Sequence, residues 1–454
     1  MRAGISGGGI DRGGVAGPGR RPAGRLVPQI PLIMSPDSSP TTSRHAWLVV
    51  ALLVPVALLN YLDRQLLASM KSSVMDDIGD IRTEANWGQM LGQFKWVYAF
   101  LSPVGGLVAD LFGRRYTIAA SLFAWSAVTW WTGHVTSFSE LLWARSLMGL
   151  SEAFYIPAAL ALIADYHSGA TRSRAIGYHQ MGIYAGVIVG GFGGYVADAP
   201  SLGWRWGFDA CGVLGMLYAL PLVLLLRDVK REPVRGDGGD ETWLMKAGDL
   251  LRNPSFLLLV ACFTLPALAA WIVRDWMPAI LKKEFAIGQG MAGVSATLFY
   301  QLAAIVGAFV GGWLADRWMR RTVRGRLHVS ALGMAMIVPA LFGVGFAPQT
   351  GMLWVAVVFL VLFGLGWGFF DTNNMPILCQ VARPELRATG YGLMNLVSIS
   401  CGGLADWGFG WLRDRNVPLL WIFSIFAAAA VLGVALILQI KPKRELEAAS
   451  GAGR

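Results

Sequence analysis

The chain has 454 residues, 55% hydrophobic and 15% charged, with a mean hydropathy of +0.52. A soluble chain would carry about 25% charge, and apolar runs of about 20 residues, enough to cross a bilayer, recur from Ala46 to Ile440. These features exclude a soluble fold and indicate a multi-span helical membrane protein. The net charge of +10 does not point to nucleic acid, because Lys and Arg gather in short loops on one side of the spans.

Residues 1–45 are rich in Gly, Arg, Pro and Ser and read as a disordered cytoplasmic tail, with no signal-peptide core before Ala46 and Met34 as an alternative start. The first six spans are expected at 46–68, 88–109, 116–134, 138–165, 174–197 and 204–227. A polar cytoplasmic linker, 228–254, holds the Gly-rich run from Arg235 to Asp240. The second six spans are expected at 255–281, 291–315, 327–347, 351–380, 388–411 and 418–440, followed by a charged tail, 441–454. Domain boundaries follow: two six-helix bundles, 46–227 and 255–440. The four cysteines (Cys211, Cys262, Cys379, Cys401) have no metal-site or disulfide spacing.

Loop charges set the expected orientation. The linker carries Arg227, Lys230, Arg231, Arg235, Lys246 and Arg252. The loop after span 8 carries Arg317, Arg320, Arg321, Arg324 and Arg326, and the loop after span 2 carries Arg114 and Arg115. The loop after span 1 is acidic: Asp76, Asp77, Asp80 and Glu84. The positive-inside rule puts both termini and the linker in the cytoplasm of a cell (inner) membrane.

The halves repeat each other. Span 2 ends Gly105-Gly106-Leu107-Val108-Ala109-Asp110-Leu111-Phe112-Gly113-Arg114-Arg115, and span 8 ends Gly311-Gly312-Trp313-Leu314-Ala315-Asp316-Arg317-Trp318-Met319-Arg320-Arg321. A second echo pairs Arg174-Ala175-Ile176-Gly177-Tyr178 with Arg387-Ala388-Thr389-Gly390-Tyr391. Gly106, Asp110, Gly113, Arg114, Asp316, Arg317 and Arg320 are read as a loop lock that governs conformation, not as a cargo site.

Charges within the spans are kept only with a partner, a wet cavity or a function, since each costs at least about 2.5 kcal/mol in hydrocarbon. They are Asp63 and Arg64 in span 1, Lys95 in span 2, Arg145 and Glu152 in span 4, Arg274 and Asp275 in span 7, and Asp371 in span 10. Glu152 lies near the middle of a core about 30 Å thick. Desolvation favours its neutral form and a nearby arginine such as Arg145 its charged form, which suits a proton-coupling site. The alternative is a structural pair with Arg64 or Arg145. Arg64 and Arg274 sit at similar depth on symmetry-related spans, and two planar guanidinium groups suit a carboxylate or phosphate. Arg274 pairing with Asp275 is the alternative there. The polar cargo-binding candidates are Tyr61, Tyr155, His179, Gln180, Gln301, Asp371, Asn373, Asn374 and Asn395, with Tyr300 in the same polar set.

The repeated Gly-Gly-x-x-Ala-Asp signature, the twelve spans and the central loop resemble the major facilitator superfamily, with Met319 replacing the second motif's glycine. That resemblance implies an all-α membrane fold of twelve helices in two pseudo-symmetric six-helix bundles, alternating access and a monomer. Asn60-Tyr61-Leu62-Asp63-Arg64, with Arg145, Gly149, Glu152, Ala153 and Pro157, resembles the anion:cation symporters, although Phe154 and Ile156 depart from their span-4 pattern. In that branch the arginine is tied to the anion and the two acids to protons. Arg274-Asp275-Trp276-Met277-Pro278 is similar to span 7 of the organophosphate:phosphate antiporters. Glu152-Ala-Phe-Tyr, Ile163-Ala-Asp-Tyr and Arg172-Ser-Arg resemble the spinster-like lipid transporters.

The expected function is a non-enzymatic proton symport of small organic anions such as sugar acids or sialic acid, with H+ as the coupling ion, Na+ as its alternative, and no metal or organic cofactor. Organophosphate exchange and spinster-like lysolipid transport are the alternatives, and a transport-fold receptor lacks long soluble segments. No nucleophile elbow, phosphate loop or metal motif occurs.

Overall fold

The computed structural model describes residues 40–167, 169–229 and 243–443, without the side chains at 40–43, 106, 107, 110, 169, 170, 243 and 244. The expected amino-terminal tail up to residue 39, most of the linker and the tail from 444 lie outside it. The described residues are helical and contain no strand.

In chain order, α1 (Pro40–Ser69) is followed by the short α2 (Lys71–Asp77). Next come α3 (Glu84–Phe112), α4 (Arg114–Thr132), α5 (Phe138–Glu152) and α6 (Tyr155–Tyr166). α7 (Gly169–Gly191), α8 (Gly193–Asp198) and α9 (Gly203–Leu225) complete the first half. α10 (Trp243–Leu251) then leads into α11 (Pro254–Phe285), α12 (Gln289–Met319), α13 (Gly325–Thr350), α14 (Leu353–Asp371), α15 (Asn374–Val381), α16 (Arg387–Asp414) and α17 (Leu419–Ile437). Local chemistry sets the ends. Thr83 caps α3 by accepting from the Asn86 N–H, Ser137 caps α5 from the Glu140 N–H, and Asn253 precedes Pro254 at the start of α11. Gly113, at φ 85°, supplies the left-handed turn between α3 and α4.

Among the described residues eight spans are long and apolar enough to cross a membrane: α1, α5–α6, α9, α11, α12, α13, α14–α15 and α17. α3, α4, α7 and α16 fill the other expected positions with glycine, tryptophan and polar faces, consistent with the twelve-span reading. Two features differ from the sequence reading. The linker region contains α10, whose Ala247 and Leu250 are buried with Phe256, Leu378 and Leu386. Spans 4 and 10, expected to be continuous, are each broken in the middle.

The core shows how the halves meet. At the end carrying residues 84 and 414, one hydrophobic cluster runs across both halves, joining Leu66, Met70, Trp87 and Met90 to Ala269, Trp276, Met277 and Ala292. Elsewhere each half has its own cluster, around Leu53, Trp125 and Leu162 in the first and around Phe256, Phe370 and Leu378 in the second. Small residues allow the close approach at the shared end. A Cβ on Gly92 would lie 2.8 Å from the Gly403 carbonyl oxygen, one on Gly88 would press on the Asp406 backbone, and one on Gly194 on that of Gln289. Hydrogen bonds reinforce the seam. The Asp414 carboxylate accepts from the N–H groups of Glu84 and Ala85 at 2.8 and 2.9 Å, and Gln289 donates to Ser73 and Asp198 at 2.7 and 2.8 Å.

Candidate functional site

The two broken helices correspond to each other. α5 ends at Glu152 and α6 restarts at Tyr155, and α14 ends at Asp371 and α15 restarts at Asn374. In each case a proline, Pro157 or Pro376, is the third residue of the new helix. Proline has no N–H to continue the ladder but is tolerated in a first helical turn, so the chain breaks just before it. Each break leaves a carboxylate as the last residue of a half-helix. Interrupted helices at matching positions in the two halves mark the cargo site in transporters built from repeats.

Around the first break, Arg64 of α1 donates to Glu152 Oε2 from Nε at 2.8 Å and from Nη2 at 2.5 Å, and Glu152 is fully buried. Glu152 Oε1 has no hydrogen-bond partner among the described residues. The Arg64 guanidinium also lies against the rings of Phe94 (4.5 Å), Tyr61 (4.9 Å) and Tyr98 (5.0 Å). Arg145 sits over the other side of this group, 4.7 Å from the Phe94 ring, with Nη1 3.0 Å from Met148 Sδ. It is thus a neighbour of Glu152, while the ion pair belongs to Arg64. Asp63 turns away from both: its Oδ2 accepts from Thr129 of α4 at 2.9 Å. Adjacent helix positions point about 100° apart, which separates Asp63 from Arg64.

Arg274 of α11 reaches the same centre from the second half, 5.6 Å from the Tyr61 ring and 4.8 Å from that of Trp271. Tyr61 therefore carries a guanidinium from each half. Asp371 is exposed, although it lies at midspan, and has Arg274, Tyr184, Tyr300 and Tyr391 as electrostatic neighbours. It thus lines a wall open to solvent.

The other expected cargo residues divide. Tyr155 and His179 are buried against each other, Tyr155 Oη 2.9 Å from His179 Nε2 and 3.2 Å from the Leu53 carbonyl oxygen, so they tie α6, α7 and α1 together and do not face the opening. Asn373 is buried and bonds its own helix at Phe369 O, and Asn374 donates to Asp371 at 3.3 Å. Gln301 is buried, and Gln180 and Asn395 are half-buried.

The buried charge at Asp406 escaped the sequence reading. Asp406 of α16, fully buried, bonds Lys95 of α3, and Lys95 Nζ is also 2.5 Å from Asp275 Oδ2 of α11. Asp275 thus pairs with Lys95 and not with Arg274. The signal was present, since Asp406 is a carboxylate inside an expected span. Among the described residues no group of three or more His, Cys, Asp or Glu could hold a metal ion.

Residues 53–405 match the family model of the Major Facilitator Superfamily. The chain belongs to the Major Facilitator Superfamily. It is 27% identical to protein spinster homolog 1 of Xenopus tropicalis over 379 residues, 78% of this chain and 70% of that one. It is 29% identical to an MFS-type efflux pump of Mycolicibacterium smegmatis over 402 residues, 87% and 90% of the two chains. Its fold matches the crystal structure of a bacterial homolog of the human lysosomal transporter spinster, in an inward-facing and unoccupied conformation, with a TM-score of 0.71 at 20% identity, covering 87% of this chain and 95% of that one. Family and fold are those of transporters.

The superfamily loop motif can be followed in part. The side chains of Gly106 and Asp110 lie outside the described residues. Arg114 bonds Asp165 at the end of α6 and the Ala161 carbonyl oxygen, and the Arg115 N–H donates to Asp228 at 2.9 Å. In the second copy Asp316 lies 3.7 Å from Arg326, while Arg317 and Arg320 are exposed. The second echo shifts register. Arg387 donates to the carbonyls of Ala382 and Cys379, and the residue making the matching bonds, to His167 and Ala164, is Arg172 and not Arg174.

An apolar cleft of about 530 Å³ lies between α1 and α7, walled by Trp47, Ala51, Val54, Leu58, Tyr178 and Met181. Ala51, Val54, Leu58 and Tyr61 recur at helical spacing on one face of α1. The cleft and the ring of Tyr61 therefore share one face of α1.

Proposed function

We propose that this protein is an alternating-access carrier for amphipathic anions of the lysolipid kind. The anionic headgroup binds between Arg64 and Arg274, and the hydrocarbon chain occupies the cleft between α1 and α7. The carrying observation is the continuity of that apolar face with the arginine-flanked ring of Tyr61. A sugar acid could use the arginines but would leave the cleft unfilled, and the spinster relatives favour the same side of the choice.

By the positive-inside rule the arginine-rich loops face the cytoplasm, the sealed 84/414 end faces outward, and the conformation is inward-open. Glu152 is the coupling group. Protonation neutralises it and frees Arg64 for cargo; deprotonation restores the pair and expels cargo. Asp371 and the ring of Tyr61 complete the polar wall.

The test is transport by purified protein in liposomes, comparing lysophospholipids of increasing chain length with a hexuronate and a sugar phosphate, with and without a proton gradient. Lysolipid movement that strengthens with chain length and is lost in Ala51→Trp supports the reading. Movement of the hexuronate alone, unaffected by Ala51→Trp, would overturn it in favour of sugar-acid symport. Stimulation only by phosphate loaded inside would point to exchange.

A further inference from the structure

The Lys95–Asp275–Asp406 cluster serves neither the cargo wall nor the Glu152 pair, and it lies in the seam that parts. Lys95 belongs to α3 in the first half, while Asp275 and Asp406 belong to α11 and α16 in the second. Both carboxylates reach the same ammonium group through their Oδ2 atoms. Lys95 is 3% exposed, Asp275 8% and Asp406 0%. Asp406 Oδ1 accepts from Trp276 Nε1 at 3.2 Å.

The surrounding charged and titratable groups are few. Arg145 of α5 and Tyr300 of α12 act on Asp275. Arg274, next to Asp275 in sequence, turns to Tyr61 and Trp271. Lys71 of α2 lies 4.8 Å from the Trp276 ring and is paired with Glu84.

We propose that Asp275 and Asp406 form a proton-binding site created when the outer gate opens. The inference rests on the alternating-access reading above. Parting of the halves takes Lys95 away with α3 and Arg145 with α5. The two carboxylates that shared one cation stay behind as neighbours on α11 and α16. Two such groups cannot both remain ionised in a site of low polarity, so the pair holds one proton. When the gate closes, Lys95 returns and the proton leaves to the outer solution; an O–H bond is the only bond made and broken. The proton binds the open form more tightly than the closed form, so acid on the outer side favours opening. The site lies in the half opposite Glu152, and its proton is taken from and returned to the outer side, so it biases the outer gate and is not carried across. One proton per opening changes the open-to-closed ratio by up to about tenfold per pH unit.

The experiment measures the distance between spin labels at Asp80→Cys and Gln349→Cys, both exposed at the sealed end in opposite halves. The native cysteines are replaced by alanine, and Glu152→Gln is present throughout so that its titration makes no contribution. The expected result is a long-distance population that grows as pH falls from 8 to 5, with the growth flattened in Asp275→Asn and in Asp406→Asn, where one carboxylate remains for one lysine. A gate that opens with no pH dependence, or with the same dependence in both asparagine variants, overturns the proton site and leaves the transport reading standing. A distance that never lengthens, at any pH or with any lysolipid, overturns both. Proton uptake by the protein on opening, followed with a pH-indicator dye, is a check that needs neither aspartate substitution: uptake supports the site and its absence overturns it.

Discussion

Arg64 places two hydrogen bonds on one oxygen of Glu152, at 2.8 and 2.5 Å, and leaves the other oxygen without a partner among the described residues. An ion pair with one side unsatisfied is poised to change. Protonation of the carboxyl removes the charge that holds Arg64, whose guanidinium already lies against the rings of Tyr61, Phe94 and Tyr98.

Arg64→Ala is expected to abolish transport and to lower stability by about 3–5 kcal/mol, because it leaves the Glu152 carboxylate buried without its hydrogen-bonded partner. Arg64→Lys keeps the charge but loses the two-point contact, so folding recovers while transport stays at least about tenfold down. Proteoliposome uptake and thermal melts of both variants check this; full uptake by Arg64→Lys would show that charge alone suffices.

Glu152→Gln keeps a side chain of the same shape and removes the titrating group. Cargo binding and exchange persist in this variant, and a proton gradient no longer drives accumulation beyond equal concentrations. Counterflow measured alongside gradient-driven uptake separates the two. Gradient-driven accumulation at the native level would move the coupling role elsewhere.

Asp414 caps α3 across the seam through the N–H groups of Glu84 and Ala85. Asp414→Ala removes a helix cap worth about 1 kcal/mol, so the closed end loses roughly fivefold in its closed-to-open ratio. The spin-label distance described above reads it. Gly92→Val is expected to act in the same direction and further, because its side chain enters the space held by the Gly403 carbonyl.

Tyr155→Phe removes the hydroxyl that joins His179 and the Leu53 carbonyl in a fully buried contact. Stability falls by about 1–2 kcal/mol, while cargo affinity is unchanged. Melting temperature and binding isotherms on the same preparation test this; an affinity change without a melting change would return Tyr155 to the cargo wall.

Much of the fold was legible in the chain. The expected spans 204–227 and 327–347 correspond to Gly203–Leu225 and Gly325–Thr350, because apolar run length and capping are local properties. The breaks after Glu152 and Asp371 were missed because each lies within a stretch long enough for one continuous span, and the prolines responsible stand a few residues further on. α10 was missed because its buried side, Ala247 and Leu250, belongs to a helix of nine residues at the end of a charged linker, too short for a periodic pattern to stand out. Depth singled out Arg64 and Glu152, and the structure pairs them. Tyr155 and His179 were placed on the cargo wall because depth does not tell which side of a helix faces the opening.

The sequence by itself determined the class of protein, the span positions, the repeat and the presence of charges that hydrocarbon does not tolerate alone. Only the tertiary structure decided who partners whom. Arg64 meets Glu152 from 88 residues away, and Lys95 meets Asp406 from 311. Asp63 goes to Thr129, and Asp275 to Lys95 and not to its neighbour Arg274. Span formation depends on a window of about 20 residues, which the chain states directly. A charge pair depends on the rotation of each helix and the packing of both halves, and these are fixed only when the whole core closes.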